Sequence, residues 1–163
     1  MTNKYYSPQG GLPPQTQIMT DRAMFTDAYA VIPKGTYSDI VTSFLPFWTG
    51  MRMWVIARPM SGFAETFSHY IVELTSGGGS DRPEDDEEAQ AVLFVTAGSL
   101  RVTYEGQEQA LDTGGYAYLP AGSRWSVHIP TNEKAPFHWI SKAYQAVDGL
   151  EHPAAFFTTE SAL

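Results

Sequence analysis

The chain has no cysteine, which excludes disulfides, thiolate zinc sites and a cysteine nucleophile, and is neutral about compartment. It has no apolar run near the ~18 residues that a membrane span requires. Its opening stretch, MTNKYYSPQGGLPPQTQ, lacks the apolar centre of a secretory signal, so the expectation is a cytoplasmic protein with no membrane partner. Bases are scarce: 10 Lys and Arg stand against 18 Asp and Glu, for a net charge of −8. An acidic surface repels phosphate backbones, which argues against nucleic-acid binding. The acidity is local, since residues 81–88 hold six acids and one base, leaving 12 acids against 9 bases elsewhere. This run reads as a solvated turn; the alternative, a hard-cation loop, lacks EF-hand spacing. Gly-x-Ser-x-Gly is absent, and Gly77-Gly78-Gly79 lacks the Lys-Ser/Thr of a phosphate loop, so it reads as a flexible turn.

What the sequence has is turn formers and strand formers. Aromatics make up 13% of the 163 residues, with 14 Gly and 11 Pro, a mixture that favours short strands over a helical bundle. Residues 1–26 read as an extended arm, because Pro13-Pro14 and Gly10-Gly11 oppose a helix. From Tyr29 onward roughly ten short runs rich in Val, Ile, Tyr, Phe, Trp and Thr alternate with Gly, Pro, Asn and Asp. Such spacing predicts a sandwich or barrel. Leu100, Val102 and Tyr104 alternate with polar residues as in a half-buried strand, and Glu105-Gly106 marks a hairpin turn. Val92–Val95, apolar throughout, is expected to be a central strand covered on both faces. Residues 148–163 read as a linker-like tail whose Phe156-Phe157 has nothing obvious in the chain to cover it.

Three stretches, AVLFVTAGSL, GGYAYLPAGSRW and the strand from Trp125, resemble the turn–strand–turn motifs of the cupins. That resemblance implies an all-β fold, a cupin double-stranded β-helix (jelly-roll) barrel over 27–147 with the extended N-terminal arm in front. Metal-binding cupins place histidines and a glutamate in these motifs. Here no His-x-His occurs, the glutamate position is approximately Gln90, and Trp125 replaces the second-motif histidine. Indole has no lone pair to offer a metal, so no metal or other cofactor is expected in this chain. His69 and His138, each in an apolar strand, read as hydrogen-bonded structural residues, His128 as facing away from Trp125, and His152 as exposed. A metal site assembled from these scattered histidines and the acidic run is the remaining alternative. His138, Ile140 and Lys142 share one strand face by alternation. If that face is inward, His138 and Lys142 would meet Gln90 and Trp125 around a residual pocket; otherwise Trp125 and its neighbours fill the barrel.

In combined order, YSPQGGLPPQT, DRAMFTDAYAVIPKG, DIVTSFLPFW, ARPMSGFAETFSHYIVEL, GGGSDRPE, VLFVTAG, GGYAYLPAGS and FHWISKAY resemble the N-terminal half of the (S)-ureidoglycine aminohydrolase family, over nearly the whole chain. The resemblance implies a two-cupin hydrolase of allantoin and purine catabolism. Its second cupin binds Mn2+ through a Glu-x-His-x3-His cluster and a later Gln, and it converts ureidoglycine to ureidoglycolate and ammonia. None of those ligands has a counterpart here, so no catalytic or metal residue carries over, and a small-molecule substrate is implied only for the full-length form. A scaffolding role follows, with a homo-oligomer formed through cupin faces and the N-terminal arm. The alternative is a stand-alone, non-catalytic cupin that binds a small polar metabolite.

Overall fold

The computed structural model describes residues 24–25, 30–31, 45–57, 59, 66–129 and 134–162. The extended arm expected over 1–26 lies almost wholly outside them. The chain divides into two units, Met1–Val41 and Thr42–Leu163. In the first, β1 (Met24–Phe25) and β2 (Ala30–Val31) form a short antiparallel ladder, with Met24 opposite Val31.

The second unit is all-β apart from one 3-10 turn, Glu160–Ala162, among the described residues. Its strands are β3 (Trp48–Ala57), β4 (Ser68–Ser80), β5 (Ala89–Val95), β6 (Ser99–Tyr104), β7 (Gln107–Asp112), β8 (Gly115–Leu119), β9 (Trp125–His128), β10 (Ala135–Ala143) and β11 (Phe156–Thr159). All pairings are antiparallel, in the order β11-β8-β5-β10-β4-β9-β6-β7, with β3 also paired to β4. Strand β7 returns against β8 and β11, so the ladder is a nearly closed jelly-roll barrel. No helix among the described residues is long and apolar enough to cross a membrane.

Alternation sets the inside of the barrel. Ala91, Leu93 and Val95 of β5, Leu100 and Val102 of β6, and Phe137 and Trp139 of β10 are all buried in one core. Strand β5 is central, between β8 and β10, as its apolar run predicts. Its two faces are unequal, however: Val92 and Phe94, on the outer face, are only half-buried. The Glu105-Gly106 turn has φ of 46° and 81°, the left-handed pair that a tight hairpin uses.

Two expectations change. Gly77-Gly78-Gly79 is the end of β4 and not a turn. There β4 leaves β10 and β3 begins to share it with β9, with Gly79 opposite His128 and Ser80 opposite Val127. The bare backbone lets β9 approach: a β-carbon at 79 would overlap the Val127 carbonyl oxygen and lie 2.5 Å from His128 Nδ1. Gly50 is likewise inside β3, at a bulge, and its carbonyl accepts a 3.0 Å hydrogen bond from Thr75 Oγ1. The tail also finds partners. Strand β11 pairs with β8, Phe156 stacks on Tyr116 and Tyr118 at 5.6 and 5.7 Å, and Phe157 packs against the core near Tyr104.

Candidate functional site

The barrel interior, where the sequence places either a residual pocket or a packed core, is packed. Trp139 of β10 is its hub. Trp48 of β3 lies 5.6 Å away between ring centres, Tyr70 of β4 5.2 Å, and Trp125 of β9 6.1 Å and edge-on at 80°. Edge-on and tilted pairs of this kind add roughly 0.5–1.5 kcal/mol each beyond the area they bury. Trp48 Nε1 donates a hydrogen bond of 3.2 Å to the Pro83 carbonyl, while Trp139 Nε1 is buried without a partner. The indoles and Tyr70 therefore fill the interior between β3, β4, β9 and β10.

The four residues nominated from sequence do not converge. Lys142 and Gln90 are register partners on the outer face, and His138, opposite Phe94, lies further along the same face. Trp125 is on the inner face with the core. The three that share a face do so because β5 and β10 run side by side with the same alternation, which points Leu93, Phe137 and Trp139 inward. Gln90 Oε1 instead accepts a 2.7 Å hydrogen bond from the Tyr118 hydroxyl. Burial, followed by the neighbouring Tyr144, raises the pKa of that phenol.

Above Trp125 the barrel mouth opens into a groove of about 730 Å3 between residues 81–87, the β6–β7 turn and residues 122–126. Carboxylates dominate its lining, from Asp81, Glu84, Asp85, Asp86, Glu87 and Glu105, against Arg82 and Arg124. Much of this charge is already engaged. Arg82 pairs with Asp85, Asp81 Oδ1 meets His128 Nε2 at 3.0 Å, and Glu84 accepts from the Asp85 and Asp86 amides and from Ser141 Oγ at 2.7 Å. The acidic run is thus a self-capped turn. Its field disfavours anions and leaves room for a neutral or cationic small molecule.

The outer face of β11, β8, β5, β10 and β4 is unusual for a sheet side that does not form the core. One row runs Phe156, Tyr118, Val92, Ile140, His69, and the next runs Thr158, Tyr116, Phe94, His138, Ile71. An open antiparallel sheet normally shows polar residues on that side. His69 and His138 pair there, with Nε2 and Nδ1 2.8 Å apart, which is the structural hydrogen bond expected of both. His128 faces away from Trp125 and His152 is exposed, also as expected.

Burial lowers the pKa of both paired histidines. For His69 the effect of burial is largest and the neighbouring His138 adds to it, bringing the value to about 4. The unfolded chain therefore takes up protons first. This contribution to stability is complete above about pH 6.5 and is lost as the pH falls toward 4. The expected result is that the urea midpoint drops between pH 7 and pH 4.5 by more in the native chain than in a His69→Gln/His138→Gln double variant. Equal drops would remove the pair from the acid response.

Comparison with known proteins gives four likenesses. The description of the EutQ-like cupin domain matches residues 61–144, just over half the chain. Among curated proteins, (S)-ureidoglycine aminohydrolase of Escherichia coli K12 is 25% identical over 125 residues, covering 74% of this chain and 47% of that protein. Among solved structures, a Pseudomonas aeruginosa protein assigned as glyoxylate-induced is 59% identical with a TM-score of 0.78, over 96% of this chain and 57% of that one. The YlbA protein of Escherichia coli has the same fold, with a TM-score of 0.77 at 23% identity over 93% and 60%. The chain spans about half the length of the curated relative it matches.

Proposed function

The chain belongs to the EutQ-like cupin domain family, and from that membership we propose that it is the non-metal cupin half of a manganese-dependent (S)-ureidoglycine aminohydrolase. Its work there is to scaffold and assemble the enzyme that converts ureidoglycine to ureidoglycolate and ammonia. The observation that carries this reading is the Trp48–Tyr70–Trp125–Trp139 packing inside the barrel. These residues do not fit a manganese centre, which takes carboxylate, carbonyl, water or imidazole donors. No step of the reaction is therefore assigned to this barrel. The likeness to the E. coli aminohydrolase supports the substrate class.

The assembly role draws on the outer face. Val92, Phe94, Ile140, Ile71, Tyr116 and Tyr118 are half-buried side chains on one sheet side, the composition of a surface that another cupin covers. A homo-oligomer formed through this face suits the same reading. A second reading, a stand-alone cupin that binds a small polar metabolite, is favoured by the groove above Trp125.

The test is ammonia release from ureidoglycine in the presence of Mn2+. The 163-residue chain alone is expected to give no release above the uncatalysed rate. A polypeptide that also carries a manganese-binding second cupin should give release. Turnover by the chain alone would overturn the assignment of roles, and a ligand saturating the groove with no oligomer formed would favour the second reading.

A further inference from the structure

His69 and His138 stand on adjacent antiparallel strands, β4 and β10, outside the barrel core. In the ladder His138 lies opposite Ile71 and His69 opposite Ile140, so the two histidines are diagonal neighbours. Ring side chains at that offset still reach one another. The ring centres are 5.1 Å apart and the facing nitrogens, His69 Nε2 and His138 Nδ1, are 2.8 Å apart. Without a metal, one ring donates its N–H and the other accepts. An ion with metal–nitrogen bonds of about 2.0–2.1 Å spaces two donors at right angles by about 2.9 Å, and two tetrahedral donors by about 3.4 Å. The spacing of the pair therefore matches that of two donors at right angles, and a small turn of both rings, from facing each other to facing one point, would aim both lone pairs at a single ion. Square-planar and tetragonal sites of nitrogen and oxygen donors suit copper(II) and nickel(II), and those ions bind imidazole more tightly than manganese does.

We propose that His69 and His138 form a two-imidazole chelate for a borderline divalent ion, copper(II) or nickel(II), on the outer face of the sheet. Each facing nitrogen supplies one lone pair. The single proton between them moves to the far nitrogen of its own ring, His69 Nδ1 or His138 Nε2, so no charge is lost and nothing is oxidised or reduced. No group of three His, Asp or Glu suited to a metal exists among the described residues, so water fills the other positions. The ring of Phe94, 6.4 Å from that of His138, and the side chains of Ile71 and Ile140 surround the pair with apolar groups. Among the described residues no carboxylate joins the pair to favour calcium or magnesium, which take oxygen donors. A bound ion would staple β4 to β10. This site is separate from the barrel interior and does not depend on the proposed enzymatic role.

The experiment is a titration of the chelator-treated 163-residue chain with copper(II) and nickel(II), read by calorimetry and, for copper, by electron paramagnetic resonance. One equivalent should saturate, with hyperfine structure from two imidazole nitrogens and affinity in the order copper, nickel, manganese. His69→Gln or His138→Gln should weaken binding by about tenfold or more, because the chelate becomes a single ligand. His128→Gln and His152→Gln should leave it unchanged. Should a substitution at 69 or 138 unfold the chain, paramagnetic broadening in the native chain decides, and it should centre on β4 and β10 amides. A one-nitrogen spectrum, broadening centred elsewhere, or binding retained in a folded double variant would overturn the proposal.

Discussion

Trp125→Ala is expected to lower the unfolding free energy by about 3 kcal/mol, toward the low end of the range for burying and then deleting a large aromatic side chain. The low end applies because Trp125 is 8% exposed where it lines the groove, so solvent can enter part of the space vacated. The loss has two parts. One is the transfer of the indole itself. The other is the edge-on contact with Trp139, which would be left facing a void on that side. Against a typical total of 5–15 kcal/mol this is a large fraction, and for a chain of this size it corresponds to a fall in Tm of roughly 6–12 °C. Urea unfolding of Trp125→Ala beside Trp125→Phe checks it. The phenylalanine variant should recover more than half, since a ring still meets Trp139. A loss below about 1 kcal/mol in the alanine variant would mean that Trp125 merely covers the core.

Gly79→Ala is expected to be more damaging still, at about 4 kcal/mol or more, the range reserved for a few specific mechanisms. Two of those mechanisms act together here. The backbone has φ of 150°, a region that is essentially glycine's own, with strain of roughly 1–3 kcal/mol for any other residue. The added methyl would also overlap the Val127 carbonyl oxygen and lie 2.9 Å from His128 Cα, both backbone groups with no rotamer to yield. Relief requires pulling β4 from β9, the connection that joins the two halves of the barrel. Gly77→Ala is the control. Its φ is 74°, but nothing lies within 4 Å of the added carbon, so only the left-handed strain of about 1–2 kcal/mol should appear. Equal effects at 77 and 79 in thermal unfolding would show that conformation, not space, sets the penalty.

Local pattern made the β architecture legible. Alternation in β6, the Glu105-Gly106 reversal and the apolar run of β5 each depend on near neighbours, and each appears where expected. Gly77–Gly79 misled because the same residue serves a turn and a close approach, and the approaching strand, β9, lies almost fifty residues downstream. Phe156 and Phe157 looked uncovered because their partners on β8 and β6 are remote in sequence. Which face holds the nominated residues turned on a different point. Alternation puts His138, Ile140 and Lys142 on one face but is silent about which face is inside. The signal was present in the other half of the same strand, where Ala135, Phe137 and Trp139 form a purely apolar set that has the stronger claim on the core. The histidine pair was out of reach, since it requires the register of β4 against β10.

The crowding of indoles also gives the molecule an optical property. Three of its four tryptophans, Trp48, Trp125 and Trp139, belong to one core, with Trp139 centred 5.6 and 6.1 Å from the other two, whereas Trp54 lies apart beneath the Arg52 guanidinium. Chromophores this close share their excited states, so the near-ultraviolet circular dichroism should be dominated by coupled transitions from the barrel interior. Such a spectrum would register loosening of the inside of the barrel before any strand is lost.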